Sequence, residues 1–159
     1  CPSFTPEQKQ IARMAYSYAI NDQEVIDTLG DHMGHTLVAM IWRESFYGDE
    51  VIRYNTSDGT HGSWGVLHVQ FTTYLWTRGM PNTRANQNKY FLEYINRMMT
   101  DDIYGITVGY GYLRYHALRL GSIHAGRMRY NGSGSGAIEY GEIIREKVQT
   151  LIRCQSLNG

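Results

Sequence analysis

Six apolar residues between positions 103 and 120 recur at alternating steps of three and four: Ile103, Ile106, Tyr110, Leu113, Ala117 and Leu120. That spacing marks one face of an α-helix, and Gly121 supplies its stop. An apolar face of this length predicts a buried helix, so other parts of the chain have to cover it. Gly109 and Gly111 lie inside the helix, where each costs about 1 kcal/mol relative to alanine. Such a cost predicts close packing against another backbone.

Helical patterns fill most of the remainder. Thr5-Pro6-Glu7-Gln8 offers a capping threonine, a first-turn proline and a glutamine that can reach back. Ile11, Met14, Ala15 and Tyr18 then share a face. A short helix is expected over 23–29, closed by Gly30, and a third over about 35–46 with Leu37, Met40 and Ile41 inward. Later helices are expected over 69–78, 85–100, 122–129 and 137–153. Tyr90, Phe91, Tyr94 and Met98 face inward from the second of these, and Tyr140, Ile144, Val148 and Leu151 from the last. Between Gly48 and Gly65 the pattern gives way to turn chemistry, Asn55-Thr56-Ser57-Asp58-Gly59 and His61-Gly62-Ser63. Short strands at 51–54 and 65–69 would make a small hairpin there. The run from Gly132 to Gly136 is too short for an interdomain linker. The prediction is one α+β, mostly α, domain over residues 1–159, with a small β-hairpin region after the third helix.

Composition narrows the function. A chain of 159 residues buries roughly 68–70% of its unfolded surface and needs no metal to form a core. Lys and Arg number 15, as do Asp and Glu, so the basic excess of a nucleic-acid binder is missing. The longest apolar stretch, 37–42, is far short of the roughly 20 residues of a membrane span. Thirteen tyrosines suit a surface that stacks and hydrogen-bonds flat, amphipathic ligands such as sugars. His32 and His35 sit three apart beside Asp31, but a third zinc ligand is not evident. His116 and His124 read as surface or groove positions. Trp42 and Trp76 read as core, and Trp64, between Ser63 and Gly65, as a cleft contact.

Cys1 and Cys154 stand at the two ends of the chain. Domain termini often lie close together, and a bridge between them would need an oxidising compartment. The chain does not start with Met, so an upstream segment is expected to have been removed. A lipid on Cys1, or two unrelated thiols, are the alternatives.

Glu44 follows Leu37, Met40 and Ile41 at offsets of seven, four and three. It therefore falls on the face that should be buried, in the last turn of its helix. Desolvation and the partial negative charge of a helix C-terminus both favour the neutral acid. A carboxylic acid held protonated at the lip of a cleft is what general-acid cleavage of a glycosidic bond needs. A helix-end ion pair with Arg43 or Arg53 is the blander use of the same residue.

Five short motifs follow in order. Trp42-Arg43-Glu44-Ser45-Phe46 resembles the Glu-Ser motif of soluble lytic transglycosylases in the lysozyme superfamily. Ser63-Trp64-Gly65-Val66-Leu67-His68 is similar to their Gly-Leu-Met-Gln turn, Tyr112-Leu113-Arg114 to their Tyr-Leu helix, and Arg129-Tyr130-Asn131-Gly132 to their Ala-Tyr-Asn-Ala-Gly motif. Tyr140 resembles their late tyrosine beside the acid. The resemblance spans about 36–144. It departs at His68, which stands in place of a glutamine, at Val66-Leu67 in place of Leu-Met, and at Gly132-Ser133-Gly134, which leaves the geometry of the sugar subsites open.

The resemblance implies a lysozyme-like fold and cleavage of the β-1,4 bond between N-acetylmuramic acid and N-acetylglucosamine in peptidoglycan, without cofactor or metal. Glu44 would act as acid and then base, leaving a 1,6-anhydro end. Tyr140 would bond Glu44 or the N-acetyl group, and Ser45 and Ser63 would position acid and substrate. Trp64, His68, Tyr112, Tyr130 and Asn131 would contact the glycan strand. Asp58 offers an alternative: a second carboxylate facing Glu44 would make the chain a hydrolytic lysozyme, although Asp58 before Gly59 is also ordinary turn chemistry. A third option is a glycan-binding or assembly protein that keeps the fold without catalysis. The expected setting is outside the cytoplasm, in the periplasm or cell envelope, in a secretion or conjugation apparatus or on a phage virion, as a monomer.

Overall fold

The computed structural model describes residues 1–50, 52–53, 63–155 and 157. These form α1 (Pro6–Ile20), α2 (Gln23–Leu29), α3 (Met33–Ser45), β1 (Ile52–Arg53), β2 (Ser63–Trp64), β3 (Val69–Gln70), α4 (Phe71–Thr77), α5 (Arg84–Thr100), α6 (Asp102–Leu120), α7 (Ile123–Tyr130) and α8 (Ser135–Arg153). The described residues are thus mostly helical. No described helix is long and apolar enough to cross a membrane.

Side-chain caps set most helix starts. Thr5 Oγ1 accepts from the Gln8 amide while Gln8 Oε1 accepts from the Thr5 amide, a reciprocal capping box. Asp22, Thr83, Asp101 and Ser122 cap α2, α5, α6 and α7 with one side-chain bond each. Gly121, at φ +70°, ends α6.

The most enclosed element is α3. Met33, Gly34, every residue from Thr36 to Ile41, Glu44 and Ser45 are buried. Helices α1 and α8 pack against it, and α7 lies between α6 and α8. One hydrophobic cluster runs from Ala12 in α1 to Leu151 in α8. Helix α6 is buried through its middle, at Ile106, Tyr110, Leu113 and Ala117, whereas Ile103 and Leu120 at its ends are exposed.

Several expectations need correction. In α1 the buried face is Ala12, Ala15 and Ala19, with Ile11 and Met14 half-buried and Tyr18 exposed. Small residues let α1 come close to α3: a Cβ on Gly34 would lie 2.8 Å from the Tyr16 ring. Phe91 and Trp76 are exposed instead of inward, and His116 is buried. Gly109 does not meet a backbone. A Cβ there would lie 2.5 Å from the Leu67 side chain, and at Gly111 it would meet open space. The close backbone approach in this region is Gly126 of α7, where a Cβ would fall 2.7 Å from Ala117 Cα.

Among the described residues the β element has three strands, not two. They are antiparallel in the order β1-β2-β3, with Ile52 opposite Trp64 and Ser63 opposite Gln70. Residues 65–68, expected as strand, form the turn joining β2 to β3. Gly65 at φ +84° and His68 at φ +45° bend it. A disulfide joins Cys1 to Cys154, with Cα atoms 5.6 Å apart, and so takes up the Cys1 sulfur.

Candidate active site

The chain reverses sharply at the end of α3. Phe46 and Tyr47 both take left-handed conformations, φ 48° and 59°. Ser45 holds the turn. Its hydroxyl donates to the Val66 carbonyl at 2.7 Å and accepts from the Gly48 amide at 3.1 Å. Ser45 is wholly buried and spends its bonds on the backbone. It therefore ties the end of α3, which carries Glu44, to the β2–β3 turn.

Glu44 is buried in the last turn of α3, yet it lines two cavities. One has an empty volume of about 610 Å³ and is walled by Ser63, His68, Thr73, Tyr112, Tyr130 and Asn131 among others. The second, about 470 Å³, is lined by Arg43, Asn131, Gly136, Glu139 and Tyr140. Glu44 and Asn131 belong to both, so a groove passes the carboxyl group on either side. Among the described residues no ion pair joins Arg43 to Glu44.

His68 faces Glu44 from the β2–β3 turn. Its Nδ1 lies 3.3 Å from Glu44 Oε2, and both side chains are only 7% exposed. Its Nε2 lies 2.5 Å from the Glu50 carbonyl. A carbonyl can only accept, so Nε2 carries the proton there. In the neutral ring Nδ1 is then an acceptor, buried beside the carboxyl group and without a formed hydrogen bond.

Tyrosines close the site from the helical side. Tyr130, at the end of α7, donates to the Leu67 carbonyl at 2.8 Å. Tyr112 on α6 meets its ring edge-on at 5.6 Å. Tyr140 on α8 has a buried hydroxyl beside Glu44 that makes no well-formed hydrogen bond. Burial first, and the nearby Glu44 charge second, push both the Tyr130 and Tyr140 phenols well above the ordinary range. Both stay protonated; Tyr130 spends its proton on Leu67, which leaves the Tyr140 hydroxyl as the donor facing the groove.

Of the residues singled out in the sequence, Glu44, Ser63, His68, Tyr112, Tyr130, Asn131 and Tyr140 meet around this groove. Asp58 and the side chain of Trp64 lie outside the described residues. Thr73 and Glu139 also line the groove and went unnoticed. Thr73 carries no motif, and Glu139 shows only as the neighbour of Tyr140. His32 is exposed beside Asp31, and His35 packs edge-on against Tyr16. His124 is half-buried next to Arg127, with Nδ1 2.5 Å from the guanidinium.

No protein-family model matches the chain, and no curated protein matches it in sequence.

Proposed function

We propose that the chain is a lytic transglycosylase with a lysozyme-like fold, cutting the β-1,4 bond between N-acetylmuramic acid and N-acetylglucosamine. The observation that carries this is Glu44: a buried acid at the junction of two cavities, faced by an acceptor nitrogen of His68 and a protonated Tyr140. The five motifs and their order add to it.

In this mechanism Glu44 gives its proton to the glycosidic oxygen as the bond to the muramyl anomeric carbon breaks. The substrate's own N-acetyl oxygen supports the positive charge, as in substrate-assisted glycosidases. Tyr140 orients that group. The Glu44 carboxylate then removes the proton of the muramyl 6-hydroxyl, whose oxygen closes on the anomeric carbon. One carboxyl group ends as it began, and the product carries a 1,6-anhydro ring. Ser63, Tyr112, Tyr130 and Asn131 supply walls and hydrogen bonds along the strand. A disulfide persists in oxidising compartments, which supports action in the cell envelope or on a virion.

Digestion of purified peptidoglycan, with the fragments weighed by mass spectrometry, tests the proposal. Anhydro ends from the wild type, and none from Glu44→Gln, are expected. Reducing ends would move the assignment to a hydrolytic lysozyme with a second carboxylate, either Asp58 or the Glu139 that shares a cavity with Glu44. Retention on peptidoglycan with no cleavage would leave a glycan-binding protein.

A further inference from the structure

Trp76 on α4 is a large aromatic that keeps 44% of its surface exposed, and Tyr115 on α6 keeps 47%. They are not stray surface rings. The Trp76 ring meets Tyr115 at 4.8 Å and Tyr112 at 5.4 Å, both edge-on, and lies nearly parallel to His116 at 6.5 Å. His116 is buried and accepts from Arg119 at 3.1 Å, so it braces the indole from the protein side. An apolar group held rigid and left in water forgoes the free energy of burial. Such patches mark binding surfaces.

The patch continues the groove. Thr73 lines the cavity beside Glu44, and Trp76 stands three residues on along α4, where side chains share a helix face about one turn apart. Tyr112 belongs to both places, lining the cavity and touching Trp76. A chain of linked rings lying over Glu44 and leaving past Tyr112 would run onto Trp76. Arg119, exposed on α6, donates to His116 Nδ1 at 3.1 Å, so the edge of the patch is cationic.

We propose that Trp76 and Tyr115 form an outer sugar subsite, stacking one pyranose ring of the glycan strand beyond those held at Glu44, with Arg119 favouring a ring that bears a carboxylate. The apolar C–H face of a pyranose covers the indole while its hydroxyls stay in water. A muramyl residue free of its peptide carries the carboxylate on its lactyl group. The subsite rests on the glycan-cleaving function proposed above, and it predicts tighter binding of longer and more acidic strands.

The test uses Glu44→Gln as a binding-competent, non-cleaving parent. Its affinity for peptide-free glycan strands and for neutral N-acetylglucosamine oligomers of equal length is measured by calorimetry, alone and with Trp76→Ala or Trp76→Phe added. Trp76→Ala is expected to weaken long strands about tenfold, leave a disaccharide unchanged, and keep its circular dichroism. Trp76→Phe is expected to recover most of the loss. Arg119→Ala is expected to weaken the muramyl strand alone, about threefold. Equal losses for short and long ligands, or long-strand binding that ignores Trp76, overturns the subsite even when the wild type cleaves peptidoglycan. If the wild type does not cleave and the parent binds no strand, the underlying function has failed and the subsite falls with it.

Discussion

Two clusters of polar side chains flank α6, and they are finished differently. On one side Asp22, Tyr110, Arg114 and Glu24 form a closed set. The Tyr110 hydroxyl and Arg114 Nε both donate to Asp22 Oδ2, at 2.6 and 2.7 Å, and Arg114 also reaches Glu24 at 2.5 Å. Burial works to raise the Asp22 carboxyl, but the bonds from Arg114 and Tyr110 outweigh it and hold it below the usual range. On the other side, His68 Nδ1 and the Tyr140 hydroxyl are buried beside Glu44 without a hydrogen-bond partner. Buried polar atoms without partners are rare and call for an explanation. A cluster that ties α2 to α6 satisfies itself. The cluster around Glu44 leaves bonds open, which on the proposed function are for the substrate to complete.

That contrast can be broken at either end. The largest effect is expected from Glu44→Gln, which should lower peptidoglycan cleavage by about 10³-fold while the urea midpoint stays the same or rises. A folded, active Glu44→Gln would end the catalytic assignment. Next comes Asp22→Ala. It removes the cap of α2 and strips Arg114 and Tyr110 of their acceptor, so a loss of about 2 kcal/mol is expected in urea unfolding, with cleavage unchanged.

Tyr140→Phe sharpens the comparison because it deletes an unpartnered hydroxyl. We expect cleavage to fall about tenfold while stability holds or improves by up to ~1 kcal/mol; a clear destabilisation would mean that the hydroxyl is structurally bonded after all. The smallest effect is a pH dependence. Asp22 is more acidic folded than unfolded, so its stabilisation is complete above the ordinary aspartate value of about 4. It is lost as the pH falls through the lower, folded value. Asp22→Asn keeps the cap but does not titrate. The wild type's advantage over it should shrink, by less than about 1 kcal/mol, between pH 7 and pH 3 in urea titrations.

Local signals made the helices readable. Asp101, Ser122 and Gly121 bound α6 and α7 almost where capping rules put them, and the offsets of Leu37, Met40 and Ile41 from Glu44 placed the acid on the buried face. What stayed hidden depends on contacts between distant segments. Ser45 was legible as the neighbour of the acid, but its partner, the Val66 carbonyl 21 residues away, was not. Trp76 looked like core because tryptophan usually is, yet neighbouring rings brace it without covering it. The α1 face was misjudged because alanines permit a close approach that larger residues only suggest. The β turn was read as strand because Val66 and Leu67 are apolar; they are buried, but on a turn bent by positive φ at Gly65 and His68.

The Cys1–Cys154 bond makes a covalent ring of 154 residues. A single protease cut anywhere inside that ring leaves one molecule, both pieces still joined through sulfur and still docked on α3. Two pieces would separate only under reduction, and a gel run with and without thiol would show it. A chain closed this way can survive a nick that would dismember an open chain of the same sequence.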